Sequence, residues 1–227
     1  MKVVRTVADL RDVLAPARRG LLTDGAPGLQ TLGRIGFVPT MGALHEGHVT
    51  LVRAARRDCA QVVVSVFVNP MQFNDAADLA AYPRNDARDA ELAAASGAEV
   101  LFMPDASEVY PAGHATSVDV RGAALGYEGD HRPGHFSGVA TVCLSLFNIV
   151  RPDVVYFGQK DAQQVAVIEQ IVRDLHLGLR VSVVPTARDV DGLALSSRNV
   201  RLSPDERVRA RLIPAALRAG VAAHRQG

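Results

Sequence analysis

Two histidines, His45 and His48, stand three residues apart in the stretch RIGFVPTMGALHEGHVTLV, residues 34–52. Ile35 to Val38 is a short apolar run, Pro39 to Gly42 reads as a turn, and from Ala43 onward Leu44, Val49 and Val52 recur at helical spacing. Such a strand–turn–helix puts both imidazoles on one face of the first helical turn. Backbone N–H groups there lack intrahelical partners and the macrodipole is positive, so an anion is the natural occupant. Two imidazoles at that place point to phosphate chemistry. A metal site is the weaker reading, because it needs a third ligand and Glu46 points away from the shared face.

Four further groups carry chemistry only in combination. Taken singly, Lys160 and Asp161 read as helix caps, Ser196-Ser197-Arg198 as a polar loop, and Gln72 and Gln164 as surface amides. Together, Lys160 and Arg198 supply fixed charge, the two serines supply hydroxyl donors, and the histidines supply donors at a helix N-terminus. That is the equipment for a nucleoside triphosphate attacked at its α-phosphate, where each prepositioned donor is worth on the order of 3 kcal/mol. Neither GxxxxGK[ST] nor GxGxxG occurs, which argues against P-loop kinases and nicotinamide-dependent dehydrogenases.

The elements that must position these groups alternate in type. Thr6 and Asp9 start a helix predicted to end near Leu14, before Pro16, and residues 18 to 33 read as a loop. After the first strand and its helix, which ends near Arg57, Gln61 to Val68 is so uniformly apolar and β-branched that it should be a strand buried on both faces. Asn69 to Asn74 is the loop at its end. A helix over Asp86 to Ser96 stops at Gly97, and Glu99 to Met103 is a third strand. Residues 104 to 134 are irregular, with a candidate short strand at Ser117 to Val120. A helix over Phe136 to Val150, a strand at Val154 to Phe157, a turn at Gly158 to Asp161, a helix to about Leu175 and a strand at Leu179 to Val184 follow. This alternation predicts an α/β fold with a parallel, doubly wound (Rossmann-like) sheet over residues 1–185. Beyond Pro185 the chain reads as a loop or small hairpin, then a helix started by Ser203, Pro204 and Glu206 and interrupted by Pro214. Ligands of such sheets bind outside the carboxyl ends of the strands, and every segment singled out above lies at one.

Composition sets the bounds. With 227 residues, 48% hydrophobic and 22% charged, the chain is that of a soluble globular protein with room for one large domain and a smaller appendage. A formal net charge of +1 argues against a broad nucleic-acid surface. No stretch is apolar enough to span a bilayer and the N-terminus lacks a signal-peptide core, so the expectation is a cytoplasmic protein. Cys59 and Cys143, far apart in apolar segments, should be buried reduced thiols.

The motifs also carry a resemblance. PTMGALHEGH resembles the HIGH-type motif of the nucleotidyltransferase superfamily, and LSSRN its KMSKS-type loop. With FVNPMQF, AYPR, RPGHFSGVATV, FGQKDAQQ and ALSSRN in order, the chain resembles the pantothenate synthetase (pantoate–β-alanine ligase) family over nearly its whole length. That family forms pantoyl adenylate from pantoate and ATP and then lets β-alanine displace AMP. The resemblance implies an ATP site made of Met41, Gly42, Ala43, Leu44, His45, Glu46, Gly47 and His48, of Gly158, Gln159, Lys160 and Asp161, of Ala187, and of Leu195, Ser196, Ser197 and Arg198. His45, His48, Lys160 and Arg198 would be catalytic, His48 filling the position of the proton donor. Gln72 and Gln164 would hold pantoate, Gln72 reaching β-alanine as well, with Pro39, Met41 and Asn69 shaping that end. Asp89 would stand near a magnesium ion, and a homodimer is implied.

Three departures accompany it. Leu195 replaces a methionine, Gln159 and Ala162 replace glutamate and tyrosine, and family members usually continue well past Gly227, so that residues 186–227 would be part of a C-terminal lid domain. The readings that compete with a ligase are an adenylyltransferase acting on a phosphate-bearing acceptor and a non-catalytic adenine-nucleotide-binding module.

Overall fold

Val62, Val63, Val64 and Ser65 are each fully buried, as an apolar run without period two requires of a strand covered on both faces. They belong to the third of six parallel strands: β1 (Lys2–Val4), β2 (Ile35–Thr40), β3 (Gln61–Val66), β4 (Val100–Phe102), β5 (Val154–Gly158) and β6 (Arg180–Val184). The sheet order is β1-β4-β3-β2-β5-β6. The structure is a computed structural model and describes residues 1–20 and 33–226. Helices α1 (Val7–Gly20), α2 (Glu46–Asp58), α3 (Ala76–Ala80), α4 (Asp86–Ser96) and α5 (Ala106–Val109) precede the middle of the chain. They are followed by α6 (Tyr127–His131), α7 (His135–Val150), α8 (Ala162–Asp174), α9 (Pro204–Ala210) and α10 (Leu212–Gln226).

Side chains of alternate strand residues feed two cores. Phe37, Val63, Phe102 and Val155 pack with α1, α7 and α8, while Val38, Val62, Val64, Leu101 and Tyr156 pack with α2 and α4. The chain runs from β2 outward to β3 and β4, then returns to place β5 on the other side of β2. The crevice at that reversal is where a doubly wound sheet takes its ligand. Here the ladder also opens: β2 pairs with β5 only at Gly36 and Phe37, although both strands continue. Pro39, expected in a turn, is therefore the fifth residue of β2, paired to β3 and unpaired toward β5, where a missing N–H leaves no ladder bond unmade.

Other expectations shift for physical reasons. Helix α1 does not stop before Pro16 but runs to Gly20, because Leu10 and Leu14 are fully buried and Arg18 Nη2 donates to Val150 O at 2.6 Å. Tertiary packing there outweighs the proline. The remainder of the predicted loop, residues 21–32, lies outside the described residues. Strand β1 has no counterpart among the expected elements; it is three residues long with two of them exposed, so it leaves no apolar period. Ser117 to Val120 is not a strand: Val118 instead exchanges bonds with α7 side chains, its N donating to Thr141 Oγ1 at 2.9 Å and its O accepting from Ser137 Oγ at 3.2 Å. The hairpin expected after Pro185 is a single antiparallel bridge, Arg188 to Ala194, followed by a 3-10 turn at Ser197–Arg201. The last helix breaks at Arg211, and Pro214 falls in the first turn of α10, where its lack of an N–H is harmless.

Helix α7 lies so close to the turn after β3 that a Cβ on Gly138 would fall 2.4 Å from Met71 O. Asn69 Nδ2 donates to Gly138 O across the same contact at 3.1 Å. Gly138→Ala must push the helix and turn apart; it is expected to destabilise the fold by roughly 1–3 kcal/mol in urea denaturation, despite alanine's better helix propensity.

Candidate active site

The site begins at a carboxylate in another element. Asp89, one turn into α4 and 1% exposed, accepts from Ala43 N through Oδ2 at 2.9 Å and from Leu44 N through Oδ1 at 2.7 Å. Those bonds hold the chain leaving β2 on a left-handed path, φ +83° at Gly42 and +50° at Ala43. Thr40 braces the same turn, donating from Oγ1 to Ser65 O at 2.7 Å and accepting from Gly42 N at 3.1 Å. A Cβ at Gly42 would stand 2.9 Å from Asp89 Oδ2, so the positive φ and the close approach both require glycine.

The turn delivers His45 as the N-cap of α2. Its Nδ1 accepts from Gly47 N at 3.1 Å, and His48 Nδ1 accepts from His45 N at 3.3 Å. Two imidazoles thus form a capping box usually made by a hydroxyl and a carboxylate. Because each Nδ1 accepts, each neutral ring carries its proton on Nε2, which remains a free donor. Burial, then His45 and Lys160, pushes the His48 imidazolium down to about 3. His45 is lowered by burial and by Lys160. At neutral pH both are uncharged N–H donors, so His48 would meet an anion as a hydrogen-bond donor and not as a cation.

A cavity of about 270 Å³ opens before these rings, at the crevice between β2 and β5. It gathers most of the residues singled out in the sequence: Pro39, Met41, His45, Gly47, His48, Asn69, Gln72, Gly158, Lys160, Asp161, Gln164, Ala187, Leu195, Ser196, Ser197 and Arg198. Leu195 comes from the far side, its Cβ 3.7 Å from the position of a Cβ on Gly47. Lys160 Nζ donates to Asp161 Oδ1 at 2.9 Å, and Ser196 Oγ accepts from Arg198 N at 3.2 Å.

Six expected residues do not line this cavity. Gly42, Ala43 and Leu44 act through their backbone behind it, Leu44 being buried in the α2 core. Glu46 turns outward to Arg53 at 2.7 Å, and Gln159 is exposed in the 3-10 turn after β5. Asp89 has both oxygens engaged by the motif's backbone, each accepting one N–H. Ala43, Leu44, His45 and Asp89 border a second cavity with Arg84, Arg88, Ser196 and Ser197.

At the other end Asn69 is a positioning residue. Fully buried, it donates from Nδ2 to Gln72 Oε1 and Gly138 O, both at 3.1 Å. Its Oδ1 accepts from Tyr110 Oη at 2.8 Å and Met71 N at 3.2 Å, so no polar capacity is left for a ligand. It orients Gln72, whose Nε2 lies 3.1 Å from Met41 Sδ. Sequence reasoning assigned no role to His135 and Tyr82, which also line the cavity. His135 Nε2 is 3.1 Å from Arg132 Nη1, and a guanidinium only donates, so Nδ1 carries the proton to Gln72 O at 2.9 Å. Arg132 also pairs with Glu128 at 2.7 Å. The histidine inside RPGHFSG and the tyrosine inside AYPR were the available signals; neither spacing nor period marked them. Val139, Val142 and Leu146 of α7 add an apolar wall.

Comparison with known proteins adds to this geometry. The sequence profile described as pantoate-beta-alanine ligase matches residues 2–226. The chain belongs to the pantoate-beta-alanine ligase family. A pantothenate synthetase of Rhizorhabdus wittichii is 51% identical over 227 residues, all of this chain and 77% of the relative. The crystal structure of pantothenate synthetase from Thermus thermophilus superposes with a TM-score of 0.88 at 48% identity, covering 99% of this chain and 76% of that one. The pantoate-beta-alanine ligase of Francisella tularensis, complexed with beta-gamma ATP and beta-alanine, matches with a TM-score of 0.84 at 37% identity, over 96% and 79% of the two chains. The chain thus spans about three-quarters of the length of these ligases.

Two outcomes follow from the ligase's motif loop. Asp89→Asn presents an N–H₂ to one of the two buried N–H groups; a loss of about 1–3 kcal/mol in chemical denaturation is expected. A lowered histidine pKa means the unfolded chain binds more protons than the folded one, so stability is lost as pH falls through the unfolded value of about 6.5 toward the folded value. For His48 that window runs down to about 3. Denaturation at stepped pH should show stability declining between pH 7 and 5, and His48→Gln should flatten the slope while its amide oxygen keeps the cap.

Proposed function

We propose that this cavity runs the two steps of the family's reaction, with the residue roles that follow. The chain is an ATP-dependent ligase joining pantoate to β-alanine. In the first step an oxygen of the pantoate carboxylate attacks the α-phosphorus of ATP and pyrophosphate leaves, giving pantoyl adenylate. In the second the β-alanine amine attacks the acyl carbon, loses a proton, and AMP leaves. The observation that carries the reading is the convergence of His45 and His48 with Lys160, Ser196, Ser197 and Arg198 on one cavity whose other end holds Gln72 and Gln164.

The two Nε2–H donors and the N-terminus of α2 face the phosphate whose charge rises as the carboxylate attacks; they are aimed in advance and need no reorganisation. Lys160 and Arg198 neutralise the β- and γ-phosphates and the leaving pyrophosphate. Gln72, held by Asn69, and Gln164 offer donor and acceptor to the hydroxyls and carboxylate of pantoate. The family reaction uses magnesium. Among the described residues no three His, Cys, Asp or Glu side chains stand together to hold a metal, and each oxygen of Asp89 already accepts a backbone N–H. The donor set does not fit a protein-bound ion, and magnesium would come with the nucleotide's own phosphate oxygens and water.

An adenylyltransferase with a phosphate-bearing acceptor would want a cluster of cations where the two glutamines lie, and the described residues lining that end offer Arg132, which pairs with Glu128. No helix among the described residues is long and apolar enough to cross a membrane. The family resemblance also supports a cytoplasmic homodimer, and residues 186–227 as part of a lid over the ATP site; sedimentation equilibrium reads the dimer.

Pantoate-dependent exchange of pyrophosphate into ATP, and AMP release that requires β-alanine, are the expected activities. His48→Gln, which keeps the cap, should lower exchange by roughly 10²–10³-fold with little loss of thermal stability. Exchange without pantoate would point to an adenylyltransferase. ATP binding by calorimetry with no pyrophosphate formed would point to a binding module.

A further inference from the structure

The arginine assigned to the triphosphate is held by a carboxylate in this structure. Arg198 lines the cavity, yet its Nη2 lies 3.1 Å from Asp78 Oδ2. Arg201 takes the other oxygen, Oδ1, at 3.2 Å, and donates from Nη2 to Ala81 O at 3.3 Å. The Arg198 guanidinium also sits 5.8 Å from the centre of the Tyr82 ring. The loop carrying Ser196 to Arg198 is thus fastened to α3 by one carboxylate shared between two guanidiniums.

That sharing has a consequence for an incoming anion. A guanidinium paired to Asp78 presents little net charge, so a triphosphate must compete with the carboxylate for it. The pair is weak enough to exchange: the Arg198 and Asp78 side chains are 44% and 29% exposed, and solvent screens such contacts. A bidentate, charge-assisted contact to phosphate is the stronger partner. Arg201 makes the exchange clean, because when Arg198 turns away Asp78 keeps a counter-ion on Oδ1. Helix α3 buries none of its residues and can adjust as the partner changes.

We propose that Asp78 is a positioning residue that parks Arg198 against α3 until a nucleotide triphosphate takes it, with Arg201 retaining the carboxylate. The proposal rests on the ligase reading for the identity of the anion. Apparent affinity for ATP is then reduced by the fraction of Arg198 that is parked.

The two neighbours of Arg198 should act with opposite signs. Asp78→Asn releases Arg198 and is expected to lower the KM for ATP about two- to five-fold in pantoate-dependent exchange, with kcat held within about two-fold. Arg201→Ala leaves Asp78 to Arg198 alone and should raise the KM by about the same factor. In the Asp78→Asn background Arg201→Ala should have no effect. A merely structural fastening predicts that both substitutions raise the KM, and that result, or an Arg201 effect that persists without Asp78, overturns the proposal. Calorimetric Kd values for ATP should follow the same signs. They test the exchange of partners even where no pyrophosphate forms, so failure of the ligase reading and failure of the parking are told apart.

Discussion

The contact on which the site depends is between Asp89 and the backbone N–H groups of Ala43 and Leu44. Without it those donors would be left unmet close to the core, and Ala43 would lose the bond that offsets its positive φ, which a residue bearing a Cβ avoids. The bond spans 45 to 46 positions of sequence, so the turn exists only once α4 has packed beside α2. Everything downstream is set by its direction. His45 becomes an N-cap instead of a residue of the helix body, its backbone N–H turns to His48, and both rings face the crevice where β2 and β5 part.

The proposed phosphate site separates two kinds of donor. The imidazoles are neutral, fixed by the bonds their Nδ1 atoms accept, and add no charge to a cavity that already contains a helix N-terminus. The cations assigned to it, by contrast, are each engaged with a carboxylate: Lys160 with Asp161 and Arg198 with Asp78. Bare cations crowded at a positive helix end would repel one another and lower the stability of the ligand-free fold. Local pairing removes that repulsion, and the pairs are exposed enough for an anion to displace the carboxylate. Rigid neutral donors and exchangeable cations suit a reaction in which charge grows at one phosphorus and then departs with a leaving group.

How much of this could be read from the sequence depended on whether a residue's role lies in its own segment. The valine-rich run of β3, the Gly97 stop of α4 and the apolar period of α7 are local signals, and the elements formed there. The proline in α1 misled because two leucines fully buried under a distant helix outweigh it. In the site, motif membership brought the right segments to the cavity but could not say which side chain faces inward. Glu46 and His45 are neighbours in one motif, and one pairs with Arg53 on the surface while the other lines the cavity. Asn69 and Asp89 were expected among the ligand-holding groups; Asn69 is saturated by its protein partners, and both Asp89 oxygens hold backbone N–H groups far away in sequence. Only coordinates count such bonds.

The opposite end of the cavity, where we propose that the acid binds, follows from the same close packing. Glycine at 138 lets α7 approach the turn at Asn69 to Gln72, and the saturated Asn69 then fixes Gln72 against Met41. The groups so presented are amides and a thioether, with the nearest guanidinium already paired. For a carboxylate that must act as nucleophile this is an advantage. A cation clamped on it would stabilise the ground state, where the negative charge still lies on the carboxylate, more than the transition state, where that charge has moved toward the phosphate. Only interactions stronger in the transition state accelerate the step. In the proposed reaction neutral amides would hold the acid in place with less of that penalty, while the charged and helix-terminal donors lie at the other end of the cavity, where the transition state would need them.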